Sequence, residues 1–204
     1  MAEDESTEEP KAAAHGVAAE DVDEYGLKVQ RYVSLVLVIV PTQGFAETTL
    51  RYARSSLYNV HVGTRTVASM DDGLVKGEFQ DEFQVDGPIA GETMEPYSGL
   101  ILAAGPGAAD LARDPDVVRL IHAADSAKKL LGTWGEGLGC LLAAGVVKGR
   151  RVTGDRGLAD AVRKAGGKYS GVQVQRDGHL VTALDDAAGF RFGRELIRIV
   201  GIAD

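Results

Sequence analysis

A chain of 204 residues with 45% hydrophobic content has apolar material for one well-packed domain and is too short for two of ordinary size. Its formal net charge of −8 is uneven, since residues 1–31 hold nine acidic and three basic side chains, a net of −6, and leave −2 for the remainder. This balance, with no basic cluster denser than Gly149-Arg150-Arg151, weighs against nucleic acid as a partner, and the single Cys140 excludes an internal disulfide framework.

In chain order, residues 1–31 read as an acidic, disordered tail, because a highly charged stretch poor in large apolar residues cannot offset its ordering entropy. A turn of helix is expected near Ala18 to Tyr25. The start lacks the basic and apolar runs of a signal peptide. Residues 32–204 read as one domain. Val33 to Val40 is a β-branched apolar run ended by Pro41, the pattern of a strand buried on both faces, and its eight residues fall short of the roughly 20 a membrane span needs. A helix is predicted from Phe45 to Leu57 and a strand from Tyr58 to Thr64. Val67 to Glu95 reads as short exposed strands and turns. A strand follows over Gly99 to Ala103, then a helix opened by Asp114-Pro115 with Val117, Leu120, Ile121 and Ala124 on one face. Lys129 to Thr133 is a strand leading at once into a helix over Glu136 to Ala144. Arg151 to Thr153 precedes a helix over Leu158 to Ala165, Val172 to Ala183 is a hairpin turning at Asp177-Gly178, and a last helix runs from about Asp186 to Val200. Such alternation predicts an α/β fold, a doubly wound and mostly parallel sheet sandwiched by helices, with its site beyond the carboxyl ends of the strands. Gly44, Gly105, Gly135 and Asp155 all belong to those ends.

The run Gly132-Thr-Trp-Gly-Glu-Gly-Leu-Gly-Cys-Leu-Leu-Ala-Ala-Gly-Val-Val-Lys-Gly-Arg-Arg-Val-Thr153 has the layout of a strand, a sharp turn and a helix. It resembles the ThiJ/PfpI superfamily, whose elbow reads Ala-Ile-Cys-His-Gly-Pro before a helix ending Leu-Leu-Ala-x-Ala-Gly and then Lys-Gly-Arg-Val-Thr. The resemblance runs from about Val33 to Gly201 and includes Leu100-Ile-Leu-Ala-Ala-Gly-Pro-Gly107. It implies a flavodoxin-like, class I glutamine amidotransferase-like fold, no cofactor and a homodimer. It also implies a cysteine nucleophile at position 135, a glutamate at 49 bonded to the thiol, backbone amides at Gly105 and Gly107 serving as an oxyanion hole, and a further residue, often histidine, at 155. The chain carries Gly135, Thr49 and Asp155 there, so the thiol on which the superfamily's peptidase, glyoxalase, deglycase and hydratase chemistries lean is missing.

Three functional readings are open, the third being a holdase-like stress protein that uses exposed apolar surface and the acidic tail. In the first, the protein is a non-catalytic member retained for ligand binding or interaction, with Gly44, Gly105, Gly107, Trp134, Gly135 and Glu136 around a small-molecule cleft. In the second, it is a hydrolase, hydratase or glyoxalase-like enzyme on a small carbonyl compound, with Glu136 as base and Asp155 or Thr49 assisting. Glu136 also reads as a cap for the first turn of its own helix, and Trp134 as core packing. Cys140, five residues past the elbow, lies about 7.5 Å along and about 140° around the helix from Gly135 and reads as a core hydrophobe. Glu47 points away from the site if its helix starts at Phe45. His15, His61, His122 and His179 have no metal-ligand spacing, with His61 expected in a strand and His122 on a helix face. The expected compartment is the cytoplasm.

Overall fold

A computed structural model of the chain describes residues 32–70 and 73–200. The expected disorder of residues 1–31, the helical turn near Ala18 and His15 lie outside the described residues.

A mostly parallel seven-stranded sheet forms the centre, in the order β11-β12-β8-β7-β1-β3-β6. Its strands are β1 (Ser34–Ile39), β3 (Val62–Ala68), β6 (Gly87–Pro88), β7 (Tyr97–Leu102), β8 (Leu130–Trp134), β11 (Val174–Asp177) and β12 (Leu180–Ala183). All neighbours are parallel except β11 against β12, the hairpin predicted at Asp177-Gly178, where Gly178 takes φ +63. The apolar runs of β1, β7 and β8 are continuous because both faces are covered: Val36 to Val40, Leu100 to Ala104 and Leu130 to Leu131 are wholly shielded from solvent.

One face packs against α2 (Ala108–Leu111), α3 (Pro115–Ser126), α4 (Leu138–Ala143) and α5 (Ala159–Lys164). The other packs against α1 (Glu47–Tyr58) and α6 (Gly189–Val200). The helix opened by Asp114-Pro115 forms as its sequence predicts: the Asp114 carboxylate accepts from the Asp116 amide at 2.9 Å, and Val117, Leu120, Ile121 and Ala124 are all buried. Two small sheets complete the fold, β9 (Arg151–Val152) with β10 (Lys168–Tyr169), and β2 (Gln43–Phe45) with β4 (Leu74–Gly77) and β5 (Glu82–Gln84).

The structure corrects several boundaries. α1 begins at Glu47 rather than Phe45, and β3 begins at Val62 rather than Tyr58. His61 is therefore a turn residue with φ +57, not a strand residue, while His122 lies exposed on α3. The stretch from Val67 to Glu95 is not uniformly exposed, because Val67, Ala68, Val75, Val85, Ile89 and Met94 are buried in the core. Its turns obscured the two-residue alternation by which strands are recognised.

Candidate functional site

The centre of the site is the turn that joins β8 to α4. Trp134 leaves the sheet with extended backbone, φ −142 and ψ 167, and Gly135 turns the chain at φ +49 into a 3-10 turn, Gly135–Gly137, that feeds α4. That left-handed conformation disfavours any residue with a Cβ and suits glycine. It is the conformation of a nucleophile elbow, whose turn residue is lifted above the sheet edge. Among the described residues, a side-chain carbon placed on Gly135 would meet the Ala104 Cβ at 3.5 Å, an ordinary contact that leaves room for a small side chain. The Gly135 carbonyl accepts from the Asp155 amide at 3.0 Å, which ties the β9 loop to the elbow.

Next to the elbow, the β7–α2 turn and the β1–α1 connection meet backbone to backbone. The Ala46 amide donates to the Ala104 carbonyl at 2.7 Å, and the Gly107 amide to the Gly44 carbonyl at 3.3 Å. A Cβ on Gly105, itself at φ +109, would fall 2.2 Å from the Gly44 oxygen, so this glycine is required by close approach. Gly44 and Gly107 act in the same packing.

Glu136 is exposed, and its Oε2 accepts from the Gly105 amide at 3.3 Å. Glu136 lies in the first turn after the elbow, and its carboxylate reaches the Gly105 amide of a neighbouring turn. The amide that the resemblance assigns to an oxyanion hole thus already faces an anion supplied by the chain. A distance of 3.3 Å is longer than the roughly 2.8 Å of a strong charge-assisted bond, so a ligand oxygen can compete for that amide.

The other candidates are engaged elsewhere. Thr49 is fully buried, donating its hydroxyl to the Asp186 carbonyl at 2.9 Å and its amide to Asp186 Oδ1 at 2.7 Å. Asp155 Oδ1 accepts from the Gly157 amide at 2.8 Å and so caps its own short turn. Trp134 does not line the cleft: it is wholly buried on the α1/α6 face, edge-on to Phe192 with ring centroids 5.6 Å apart. Cys140 is a core residue as expected, its Sγ 3.7 Å from the Ala108 carbonyl, and burial pushes its thiol up to about 12.

Two acidic residues have roles the sequence did not reveal. Glu47 is buried at the start of α1, where its Oε1 accepts from the Phe79 and Asp81 amides, both at 2.9 Å, and holds the β4–β5 turn. Asp186 takes the free N-terminal amides of α1, receiving Thr48 at 3.0 Å as well as Thr49. α1 has no side-chain cap of its own at Ala46, so Asp186 serves as its cap from 138 residues away. Its neighbour Asp185 caps the short turn that precedes α6, accepting from the Ala187 amide at 3.0 Å. Among the described residues no group of histidine, cysteine and acidic side chains could hold a metal ion, and no helix is long and apolar enough to cross a membrane.

An open α/β sandwich with a strand–turn–helix elbow at the carboxyl edge of its sheet defines the flavodoxin-like class. Within it the chain belongs to the DJ-1/PfpI family, whose model matches residues 34–199. The chain is 27% identical over 143 residues to a deglycase from Thermococcus kodakarensis, a match spanning 66% of this chain and 81% of the relative. Among solved structures it is similar to a ThiJ/PfpI domain protein from Brachyspira murdochii, with TM-score 0.78, 15% identity, and coverage of 85% of this chain and 99% of the other. It is also similar to a DJ-1 superfamily protein from Salmonella typhimurium, solved as a cysteine-to-alanine variant, with TM-score 0.74, 26% identity, and coverage of 83% and 91%.

Proposed function

We propose that this protein is a family member without the thiol-dependent activity, retained to bind a small ligand in the cleft above Gly135 or to interact with another protein. The observation that carries this reading is the elbow itself: the turn is kept in its left-handed conformation with room for a small side chain, and its residue has no side chain to react. Deglycase activity, the description of the Thermococcus relative, therefore has no nucleophile here unless another group replaces the thiol. Glu136 as a general base on a small carbonyl compound is the alternative. Against it stand the engagement of its carboxylate with the Gly105 amide and the commitment of Thr49 and Asp155 to Asp186 and Gly157. The cytoplasm remains the proposed compartment. A homodimer is proposed on the exposed aromatics Tyr52, Phe79 and Phe190, of which Tyr52 and Phe79 line a groove of about 580 Å³ beside α1.

Turnover of methylglyoxal, and of methylglyoxal-modified amino acids, is the decisive measurement. The intact protein, Cys140→Ala and Glu136→Gln should all be indistinguishable from buffer. Turnover in the intact protein that Glu136→Gln abolishes would overturn this reading in favour of the carboxylate enzyme, and a monomer in sedimentation equilibrium would overturn the assembly.

A further inference from the structure

Away from the elbow, a groove of about 440 Å³ runs between the outer strand β11 and helix α6, lined by Arg176, Arg191, Arg194 and Arg198 with Glu195 and Val172. Four guanidinium groups face one carboxylate there, in a chain whose residues 32–204 carry a net charge of −2. Arg198 is paired with Glu195, and Arg176 Nε donates to the Gly178 carbonyl at 3.1 Å. Arg191 and Arg194 are exposed and have neither a hydrogen-bond nor an ion-pair partner among the described residues. Steps of three and four put Arg191, Arg194 and Arg198 on one side of α6, over a rise of about 10 Å.

The opposite wall offers main-chain groups. The Leu184 amide donates to the Gln173 carbonyl at 2.9 Å, and the hairpin register runs from Val174↔Ala183 to Asp177↔Leu180. By the alternation of an antiparallel ladder, Gln173, Gln175 and Asp177 turn their peptide groups toward β12, while Val174 and Arg176 turn theirs to the open edge. The Arg176 carbonyl takes the Gln175 side-chain amide at 2.8 Å. Among the described residues, the Val174 peptide groups and the Arg176 amide have no strand partner and face outward, the arrangement of an edge that can accept another strand.

We propose that this groove docks an acidic polypeptide segment in extended conformation, which adds to β11 through main-chain hydrogen bonds and sets carboxylates from alternate residues against the α6 arginines. Alternate side chains of a strand are about 6.7 Å apart. The arginines step along α6 by roughly 4.5 and 6 Å, a mismatch that their long side chains absorb. Main-chain pairing supplies affinity and the arginines supply selection for acidic sequence. A nucleic-acid strand fits less well: its backbone has no use for an unpaired peptide edge, and the groove holds no aromatic ring on which bases would stack.

The probe is a fluorescein-labelled octapeptide alternating glutamate and threonine, titrated with the intact protein and read by anisotropy. Saturable binding is expected, weakened about ten-fold when salt rises from roughly 50 to roughly 250 mM. Arg191→Gln with Arg194→Gln should cost a further loss of about ten-fold, at an unchanged melting temperature, since both side chains are exposed. Val174→Pro removes an outward N–H on an edge strand that tolerates proline, and should weaken binding without changing the charge. A peptide of equal charge with proline at its centre should bind less well, because it cannot complete the ladder. Absence of saturable binding, unchanged affinity in the double arginine variant, or equal affinity for the proline peptide or for an oligothymidylate would each overturn the proposal.

Discussion

The two ends of the central sheet hold their carboxylates in different ways. At the carboxyl end, Glu136, Asp186 and Glu47 accept hydrogen bonds from main-chain amides: Gly105 for the first, Thr48 and Thr49 for the second, Phe79 and Asp81 for the third. At the amino end, Asp125 sits between two side chains, with His179 Nε2 at 2.7 Å and Arg150 Nη1 at 2.6 Å. Burial opposes ionisation of Asp125, but the hydrogen bonds from Arg150 and His179 outweigh it and hold the carboxyl below its usual value. The contrast shows where main-chain amides are taken by the chain's own acidic side chains. Strand ends and helix starts at the carboxyl edge present unpaired amides, and in this chain its own acidic side chains take them. At the amino end Asp125 is matched instead by side chains, the Arg150 guanidinium and the His179 imidazole.

The largest test of the comparison is at the amino end. Asp125→Asn should lower stability by about 3 kcal/mol at neutral pH, because it leaves Arg150 and His179 without their shared anion. The folded carboxyl titrates below its unfolded value of 3.8. Its contribution is therefore fully present above that value and is lost as pH falls through the folded one. Urea midpoints of the two proteins should converge as pH drops below about 4. A gap that stays constant well below that acidity would mean that the ion pair is not what stabilises the α3–β12 junction.

A smaller loss is expected for Asp186→Ala, about 2 kcal/mol, the upper range for removing a helix cap. Amide hydrogen exchange should locate it: Thr48 and Thr49 should lose protection, while α3 is unaffected. Equal loss in both helices would show that Asp186 acts on the whole fold rather than as the cap of α1.

The smallest stability effect belongs to the elbow. Gly135→Cys should fold with a cost of about 1 kcal/mol, the penalty for a side chain at positive φ, since among the described residues the new carbon meets Ala104 alone. Its reactivity is the sharper readout. The new thiol should react with iodoacetamide roughly ten-fold or more faster than Cys140, whose thiol burial pushes up to about 12. Labelling no faster than that of Cys140 would place position 135 away from an open cleft and remove the basis for reading it as an elbow.

Legibility from sequence followed the range of the interactions involved. The long strands and helices were readable because continuous apolar runs and three-to-four spacing record burial locally. So did Asp114-Pro115, Asp177-Gly178 and the setting of Cys140. Trp134 was less legible, because a tryptophan at the lip of a cleft and one beneath it have the same neighbours in sequence; the packing of Phe192 decides that it lies beneath. The bond of Glu136 to the Gly105 amide was not legible, because that amide lies 31 residues away in the chain.

What the sequence determined by itself is the α/β order of elements, the glycine at the elbow and the absence of a thiol there, since each depends on residue identity and short-range pattern. Tertiary structure alone decided which anion meets which amide. The choice of Asp186 for Thr48 and Thr49, of Glu47 for the β4–β5 turn and of Glu136 for Gly105 arises only when separate strand ends converge. A hydrogen bond requires position and direction to within a few tenths of an ångström, and those are properties of the packed sheet rather than of any segment of chain.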